Sequence, residues 1–500
     1  MAELSEVSRG HSTKSCYRMT RKDRTIGGFE ELKETEKYVK SRQLHKEDYS
    51  LESKVELDGK EKVHSISLTS DRKQNDENVY TSALLERILD KDNMNEAFKR
   101  VKKNKGSHGI DKLTVDELLT YLQEHGADLK ESILEGKYIP QPVRRVEIPK
   151  DNGKKRQLGI PTVVDRVIQQ AIAQVLSPIF EEIFSEYSYG FRPNRGCHDA
   201  LKQCKTYIND GYRYAIDLDL EAYFDTVNHD KLIGLIYKQV KDVRVISLIR
   251  KYLQAGVMKD GVISKPPKGV PQGGNLSPLL SNIMLNELDV ELETRGLRFV
   301  RYADDCNIYV KSLKAAHRVM ASITKFIEGR LKLKVNQEKS KVGRPWKLKF
   351  LGYSFYCVKG GVDFRVHEKS IRKLKEKIKY LTGRSRIGNI KATYIKIKQV
   401  IVGWINYFKL AKMKDKMRQL DEWLRSRLRM CYWKQWKKIK TKYKNLRKLG
   451  IDEGKAWEFA NTRKGYWRTA HSPILSKTIT NAKLKKSGLV SLTEIYAQVC

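Results

Sequence analysis

The pattern of apolar and polar residues changes character several times along the chain. Apolar side chains recur at helical spacing from Leu84, over residues 166–184, and again beyond residue 368. Residues 144–160 alternate instead, with turn residues at 151–153, which predicts a β-hairpin. Further strands are predicted at 214–220, 299–302, 306–310 and 349–355. The pattern therefore predicts a mixed α+β part followed by an all-helical part.

The helical part has an amphipathic pattern with a basic outer face. Three apolar stripes run from Ile371 to Leu381, from Tyr394 to Phe408 and from Met413 to Leu428. Residues 1–78, by contrast, are polar and short of apolar periodicity, so a largely disordered extension is predicted there.

The net charge is strongly positive and unevenly distributed. The 500 residues include 99 Lys and Arg against 60 Asp and Glu, a formal net charge of +39. Residues 371–450 alone hold 26 basic and 4 acidic residues, whereas residues 1–80 hold 16 of each. A cationic surface of this size favours a long polyanion as partner, because each neutralised phosphate releases counterions. A generic basic protein that adheres to RNA is the simpler alternative.

Cysteine spacing and the N-terminal sequence argue against other classes of protein. The seven cysteines are scattered and no Cys-x-x-Cys pair occurs, so neither a disulfide framework nor a zinc site is predicted. The first residues contain no apolar core of the kind that signal peptides have, and no apolar run reaches the length of a membrane span. We expect a cytoplasmic protein with no membrane partner.

Two acidic strand ends form the candidate catalytic site. Asp304 and Asp305 occupy the turn between two short predicted strands, and Asp219 lies at the end of the strand that begins at Tyr214. Carboxylates that converge from different strands can hold two Mg²⁺ ions, because hard cations prefer oxygen ligands. Such a pair of ions activates a 3′-hydroxyl and stabilises a leaving pyrophosphate. Each acid taken alone could instead be a turn or cap residue.

Four motifs occur in the order found in reverse transcriptases. They are Asp219-Leu220-Glu221-Ala222-Tyr223-Phe224-Asp225, Gly269-Val270-Pro271-Gln272-Gly273-Gly274-Asn275-Leu276-Ser277-Pro278, Tyr302-Ala303-Asp304-Asp305 and Phe350-Leu351-Gly352-Tyr353. Over residues 80–500 the chain resembles the group II intron-encoded reverse transcriptase/maturases of bacteria. The resemblance implies an α+β right-hand polymerase, whose fingers and palm contain an antiparallel sheet. An all-α thumb or maturase domain and a small C-terminal DNA-binding region would follow. The implied bounds are 79–360, 361–450 and 451–500, after the extension 1–78.

The resemblance also implies roles for individual residues. Asp219, Asp304 and Asp305 match the metal-binding triad, with the Leu220 carbonyl as a further ligand. Phe224 matches the steric gate that excludes a 2′-hydroxyl, although it is also a candidate core aromatic. The nucleotide-binding positions are Lys150, Arg156, Phe224 and Gln272. Lys339 matches a position where polymerases keep a general acid, and a surface lysine is the alternative.

Candidate nucleic-acid contacts lie in two regions. The resemblance implies that Arg192 contacts the template or primer backbone. On the basic helices, Arg425, Arg427 and Arg429 are the candidate RNA-contact residues, since folded RNA is recognised largely by shape and phosphate. Trp404 and Phe408 fall on an apolar stripe and are predicted to be core residues.

The function implied is an RNA-directed DNA polymerase and intron maturase. It would bind a group II intron RNA, assist its splicing and copy it into DNA during retrohoming, with target DNA, a primer and dNTPs as further partners. The sequence has no counterpart of the endonuclease domain of many relatives, so second-strand cleavage is not expected. Two alternatives stay open, a splicing-only maturase and a domesticated reverse transcriptase of a defence or diversity-generating system.

Overall fold

A computed structural model describes residues 83–149, 153, 155–264, 267–383 and 388–500. The predicted extension, residues 1–78, lies outside these described residues. Up to residue 264 the elements are α1 (Leu84–Ile88), α2 (Lys91–Asn104), α3 (Leu118–Leu134), β1 (Val143–Pro149), β2 (Lys155–Ile160), α4 (Val163–Glu181), α5 (Cys197–Asn209), β3 (Tyr214–Leu218), α6 (Tyr223–Thr226), α7 (His229–Gln239), α8 (Val243–Gln254), β4 (Val257–Lys259) and β5 (Val262–Ser264).

The later elements include the remaining strands and a long succession of helices. They are α9 (Ser277–Thr294), β6 (Arg298–Tyr302), β7 (Asp305–Val310), α10 (Leu313–Phe326) with a π-helical turn (Ile327–Leu331), β8 (Lys341–Gly343), a 3₁₀ turn (Pro345–Lys347), β9 (Tyr353–Val358), β10 (Gly361–Val366), α11 (Glu368–Leu381), α12 (Ile390–Tyr407), α13 (Lys414–Gln435), α14 (Ile439–Lys448), α15 (Glu453–Ala460), α16 (Tyr466–Ala470), α17 (Pro473–Thr478), α18 (Asn481–Lys486) and α19 (Leu492–Val499).

The strands form two four-stranded sheets and a separate hairpin. The first sheet has the order β2-β1-β4-β5, in which β1 pairs with β2 antiparallel and with β4 parallel. The second has the order β6-β7-β3-β8, and all its pairs are antiparallel. β9 and β10 pair only with each other among the described strands.

The second sheet separates two hydrophobic cores. Because side chains alternate along a strand, β3 directs Ile216 and Leu218 to one face and Ala215 to the other. The first face packs against α10, and α4 and α9 belong to the same core, which extends to the N-terminal helices. The other face packs with β9, β10 and the C-terminal helices through residues such as Val300 and Tyr309. The second sheet thus joins the α+β part to the all-helical part.

Helices α4 and α9 are buried along much of their length, which fixes the layer beneath the sheet. α4 begins where the Thr162 side chain accepts a hydrogen bond from the Asp165 amide, an N-cap that satisfies a free helix donor. α9 begins at Ser277 with Pro278 in its first turn, where the missing proline N–H costs no helical bond. Both helices pack against each other, and α9 also contacts β6.

The C-terminal helices are anchored to α13 by a buried carboxylate. Asp421 accepts hydrogen bonds from Ser491 Oγ at 2.7 Å and from the Leu492 and Thr493 amides at 2.8 and 3.0 Å, at the start of α19. An anionic side chain at a helix N-terminus is stabilised by the free amides and by the helix dipole. The C-terminal segment is therefore docked on α13 by specific polar contacts as well as by apolar packing.

Most of the predicted elements are confirmed. The hairpin at 144–160 is β1 and β2, and the three apolar stripes are those of α11, α12 and α13. The strand predicted at 349–355 is wrong in its first half: Leu351 and Gly352 have φ values of 48° and 82°, so the chain turns and β9 begins at Tyr353. The expected antiparallel sheet describes the second sheet, whereas the first contains a parallel pair. Among the described residues, no helix has the length and apolarity needed to span a membrane.

Candidate active site

The predicted acidic residues meet at one edge of the second sheet. β6 and β7 form a tight hairpin in which Tyr302 pairs with Asp305, and Ala303 adopts a left-handed conformation with φ of 57°. β3 runs antiparallel to β7 and its last pair is Leu218 with Cys306. The next position along this register brings Asp219 opposite Asp305. Asp304, at the tip of the turn, completes the group.

The Leu220 carbonyl lies on the same side as this group. The Asp219 carbonyl accepts a hydrogen bond from the Asn336 amide at 2.8 Å, and the Glu221 amide donates to the Lys334 carbonyl at 2.8 Å. Backbone groups of successive residues in an extended strand point to opposite sides. The Leu220 carbonyl is therefore directed away from residues 334–336 and toward the side of Asp305.

Negative charge is concentrated at this edge. Asp217 lies on the same face as Asp219, two residues earlier on β3. Burial, then the neighbouring Asp305 and Asp219 carboxylates, raise the pKa of Asp217 to about 7. The Lys339 ammonium lies 3.1 Å from Asp219 Oδ2 and neutralises part of the charge. The structure therefore places the Lys339 ammonium in contact with one of the predicted metal ligands.

The oxygen atoms of these carboxylates and of the Leu220 carbonyl are ligands of the type that a hard divalent cation prefers. Within the residues that the structure describes, no three Asp, Glu, His or Cys side chains are arranged as a ready metal cage. The carboxylates share one edge of the sheet but do not surround a single position. Carboxylate oxygens grouped in this way are suitable ligands for such a cation.

A buried polar network holds the acidic turn from beneath. The Arg301 guanidinium is fully buried and forms a two-point contact with Asp289, Nε to Oδ1 at 2.7 Å and Nη2 to Oδ2 at 2.5 Å. Its Nη1 also donates to the Ala303 carbonyl and to Asn282 Oδ1, each at 3.0 Å. Asn282 Nδ2 in turn donates to the Gly190 carbonyl at 2.9 Å. Sequence reasoning missed this network, although charged residues inside the apolar runs of β6 and α9 were a signal for it.

Gly190 is the closest neighbour of the turn backbone. The 187–190 segment pairs with Arg301, because the Tyr189 amide donates to the Arg301 carbonyl at 2.9 Å. A Cβ atom at Gly190 would lie 2.2 Å from the Ala303 amide nitrogen, a distance that no side chain can adopt. The absence of a side chain at this position therefore allows two backbone segments to touch.

The predicted nucleotide-binding residues lie in two places. Phe224 is half-buried on the single-turn helix α6 that follows Asp219, and it packs edge-on against Tyr223. The exposed Arg156 on β2 donates from Nε to Gln272 Oε1 at 3.1 Å, and the Gly159 amide donates to the Gln272 carbonyl at 2.8 Å. The structure therefore brings Arg156 and Gln272 together, while Lys150 lies outside the described residues.

Two of the predicted nucleic-acid contact residues, Arg192 and Arg429, are buried. Arg192 is 3% exposed and donates to the Ser185 and Ser188 carbonyls and to the Glu181 carboxylate. Arg429 is 9% exposed and donates to the Ile479 carbonyl and to Asn481 Oδ1. Both guanidiniums are bound to internal acceptors in this structure.

The two other arginines of the predicted RNA surface are half-buried. Arg427 donates to Thr382 Oγ1 at 2.9 Å and to the Thr382 and Lys379 carbonyls, which ties α13 to the end of α11. Arg425 is half-exposed on α13, between Leu424 and Ser426, which are both buried. The predicted core roles of Trp404 and Phe408 agree with their packing: the two rings lie 4.6 Å apart within the second core.

Two family models match the chain. The model described as reverse transcriptase (RNA-dependent DNA polymerase) matches residues 148–355, which contain all the carboxylates of the candidate site. The model described as group II intron, maturase-specific domain matches residues 371–450, from α11 to α14. The two matches follow each other in the order that the motifs predicted.

Curated relatives agree with these matches. Protein YkfC of Escherichia coli is 35% identical over 307 residues, which cover 53% of this chain and 81% of that protein. Group II intron-encoded protein LtrA of Lactococcus lactis is 37% identical over 278 residues, which cover 55% of this chain but only 45% of LtrA. The alignment therefore spans less than half the length of LtrA. With both domains in order and most of YkfC covered, this chain belongs to the group II intron-encoded reverse transcriptase/maturases, a family of RNA-directed DNA polymerases.

Proposed function

We propose that the acidic edge of the second sheet is the site at which this chain copies RNA into DNA. The catalytic residues are Asp219, Asp304 and Asp305. The observation that carries the proposal is the strand register, which puts Asp219 opposite Asp305 and beside the turn that contains Asp304. Three carboxylates from two separate strand ends can share metal ions only if the sheet aligns them in this way.

The carboxylates and the Leu220 carbonyl would hold two Mg²⁺ ions, which supply activation of the primer 3′-hydroxyl and stabilisation of the leaving pyrophosphate. Lys339 balances the charge of Asp219 when no cation is near, since its ammonium lies 3.1 Å from Oδ2. Phe224 packs under the sugar of the incoming nucleotide and leaves no room for a 2′-hydroxyl. Its place on α6, four residues beyond Leu220, supports this role.

Arg156 and Gln272 bind the incoming nucleotide on the side of the first sheet. Their hydrogen bond orients the guanidinium of Arg156, and its planar fork can then bind phosphate oxygens. Lys150, which follows Pro149 in the sequence, contributes a second positive charge to the triphosphate. In a right-hand polymerase this hairpin belongs to the fingers and the second sheet to the palm.

The helical part binds the RNA partner. Residues 79–360 form the polymerase unit, 361–450 the thumb or maturase unit and 451–500 a DNA-binding segment. The 26 basic residues of 371–450 supply a cationic surface for a folded group II intron RNA. The chain would assist the splicing of this RNA in the cytoplasm and then copy the RNA into DNA at a DNA target. With Arg427 and Arg429 bound to internal acceptors, Arg425 is the arginine of the predicted trio that we retain as an RNA contact.

Primer extension tests the polymerase site directly. Purified full-length protein with Mg²⁺ should extend a DNA primer on an RNA template, and Asp304→Ala should lower the rate by at least a thousandfold, about 4 kcal/mol of activation free energy. Asp230→Ala is the matched control, because Asp230 is an exposed carboxylate on α7, outside the candidate site. Equal activity of the Asp304 and Asp230 variants would refute the assignment.

A further inference from the structure

A cavity of about 1140 Å³ lies between the β9–β10 hairpin, the start of α11, the loop before α13 and helix α19. None of the proposed catalytic or nucleotide-binding residues lines it. Pockets that bind small molecules have volumes of about 300–1000 Å³, so the space is large enough for a nucleotide with its flanking backbone.

We propose that this cavity, here called the C-terminal groove, binds an unpaired nucleotide that projects from the folded RNA partner. The proposal rests on the proposed RNA-binding function and adds a specific site to it. The groove combines two features that such a ligand needs, aromatic rings in its wall and lysines at its rim.

The wall offers flat surfaces for a base. Trp346 and Tyr496 face the groove from the 3₁₀ turn and from α19. Tyr496 is fixed in place, because its hydroxyl donates to the Ala411 carbonyl at 2.9 Å and accepts from the Met413 amide at 3.3 Å. The Arg344 guanidinium lies 5.5 Å from the Trp346 ring centroid and helps to hold that ring. An aromatic ring held in this way can stack on a base with little further loss of conformational entropy.

The rim offers positive charge for the phosphates. Lys347, Lys414 and Lys416 are exposed at the rim, and none of them makes an ion pair among the contacts of the described residues. Lys412 and Arg365 also line the groove, but Lys412 is paired with Asp363 at 2.7 Å and Arg365 donates to Ser354. Glu368 and Asp415 are the acidic residues of the lining, so basic side chains exceed acidic ones.

These features favour RNA with an unpaired nucleotide over duplex DNA. Bases in a perfect duplex are stacked inside it and cannot enter a pocket, whereas bulges and loops of folded RNA present bases that proteins stack on aromatic side chains. A duplex of either kind could touch the lysines of the rim but could not reach Tyr496 in the wall.

The test compares two RNA hairpins of equal length, one fully paired and one with a single bulged 5-iodouridine. Full-length wild-type protein should bind the bulged hairpin about tenfold more tightly, the effect of stacking one base. Irradiation should cross-link the iodouridine to Trp346 or Tyr496. Trp346→Ala should remove the preference, and the combined Lys347→Gln, Lys414→Gln and Lys416→Gln variant should weaken binding of both hairpins and lower its salt dependence.

The control is a variant with the same loss of charge at Lys391→Gln, Lys396→Gln and Lys398→Gln, exposed lysines of α12 that do not line the groove. It should keep the preference for the bulge. Equal binding of the two RNA hairpins by the wild type would overturn the proposal, and so would cross-links that lie only outside the groove. A fully paired DNA hairpin that binds as tightly as the bulged RNA hairpin would also overturn it. Primer extension is measured on the same preparations, so a failure of the groove is distinguished from a failure of the polymerase assignment.

Discussion

The buried pair of Asp289 and Arg301 gives the sharpest prediction on stability and activity together. Both side chains are at most 1% exposed, and the Arg301 guanidinium donates two bonds to Asp289, one to Asn282 and one to the Ala303 carbonyl. Asp289→Ala leaves a guanidinium charge in an apolar interior without its counter-ion. Removal of one partner of such a pair costs about 3–5 kcal/mol.

That cost is large beside the total stability of a typical domain, which is about 5–15 kcal/mol. Urea unfolding at constant pH should therefore show a clear loss for Asp289→Ala. The matched control is Asp230→Ala, which breaks the contact with Arg250: the Asp230 side chain is 79% exposed, so the loss there should be under about 1 kcal/mol. Equal losses in the two variants would refute the reasoning.

A double variant separates stability from positioning. In Asp289→Leu with Arg301→Met, both charges are replaced by apolar side chains of similar size, and such replacements are often neutral or stabilising. We expect stability to recover most of the loss caused by Asp289→Ala but not all of it, because Asn282 Oδ1 and the Ala303 carbonyl are left without this donor. Primer extension should stay at least tenfold slower, because the bond from Arg301 to the Ala303 carbonyl is gone. Full recovery of both properties would show that the network has no positioning role.

Three further predictions concern the acidic edge and its neighbours. The pKa of Asp217 is about 7 in the folded state and about 3.9 in the unfolded state, so the folded state binds more protons between these two pH values. The free energy of unfolding, measured in EDTA, should therefore fall as the pH rises from 4 to 7. Asp217→Asn should flatten this slope in thermal unfolding at pH 5 and pH 8; a retained slope would contradict the cause. Phe224→Ala should raise ribonucleotide incorporation at least tenfold, measured as the ratio of kcat/KM for dNTP and rNTP, and an unchanged ratio would remove Phe224 as the gate. Gly190→Ala should slow primer extension at least tenfold, because the new Cβ would displace Ala303. Gly126→Ala is the control and should not slow it, since the space around Gly126 is open. Similar rates for the two variants would contradict the close contact.

The parts of the fold that local pattern determines were predictable from the sequence. Alternation over residues 144–160 and a turn at 151–153 specify a hairpin whatever packs against it. The apolar stripes of the basic helices specify their buried faces in the same way. Residues 349–355 were mispredicted because their apolar run resembles a strand, while Leu351 and Gly352 adopt left-handed conformations that composition alone does not reveal.

The members of the candidate site were predictable from the acidic strand ends and from the resemblance, whereas their contacts with one another were not. Asp304 and Asp305 are adjacent, and their flanking strands made a hairpin the natural interpretation. The burial of Arg192 and Arg429 was not predictable, because an arginine that donates to internal carbonyls has the same sequence context as one that faces solvent. The contact between Arg156 and Gln272 joins residues 116 positions apart, so no local pattern could indicate it.

The second core has a consequence for how polymerase and maturase functions are connected. Val300 and Tyr309 of the β6–β7 hairpin pack in the same cluster as Ile401 and Leu424 of the basic helices. Polar contacts cross the same boundary, since His198 Nε2 lies 2.7 Å from the Tyr407 carbonyl, which also accepts from the Tyr353 hydroxyl. Interiors packed at this density transmit displacements rather than absorbing them. A movement of α12 relative to the β6–β7 hairpin would therefore strain this core or displace the hairpin with it, so the proposed RNA surface and the proposed active site share one packed interior.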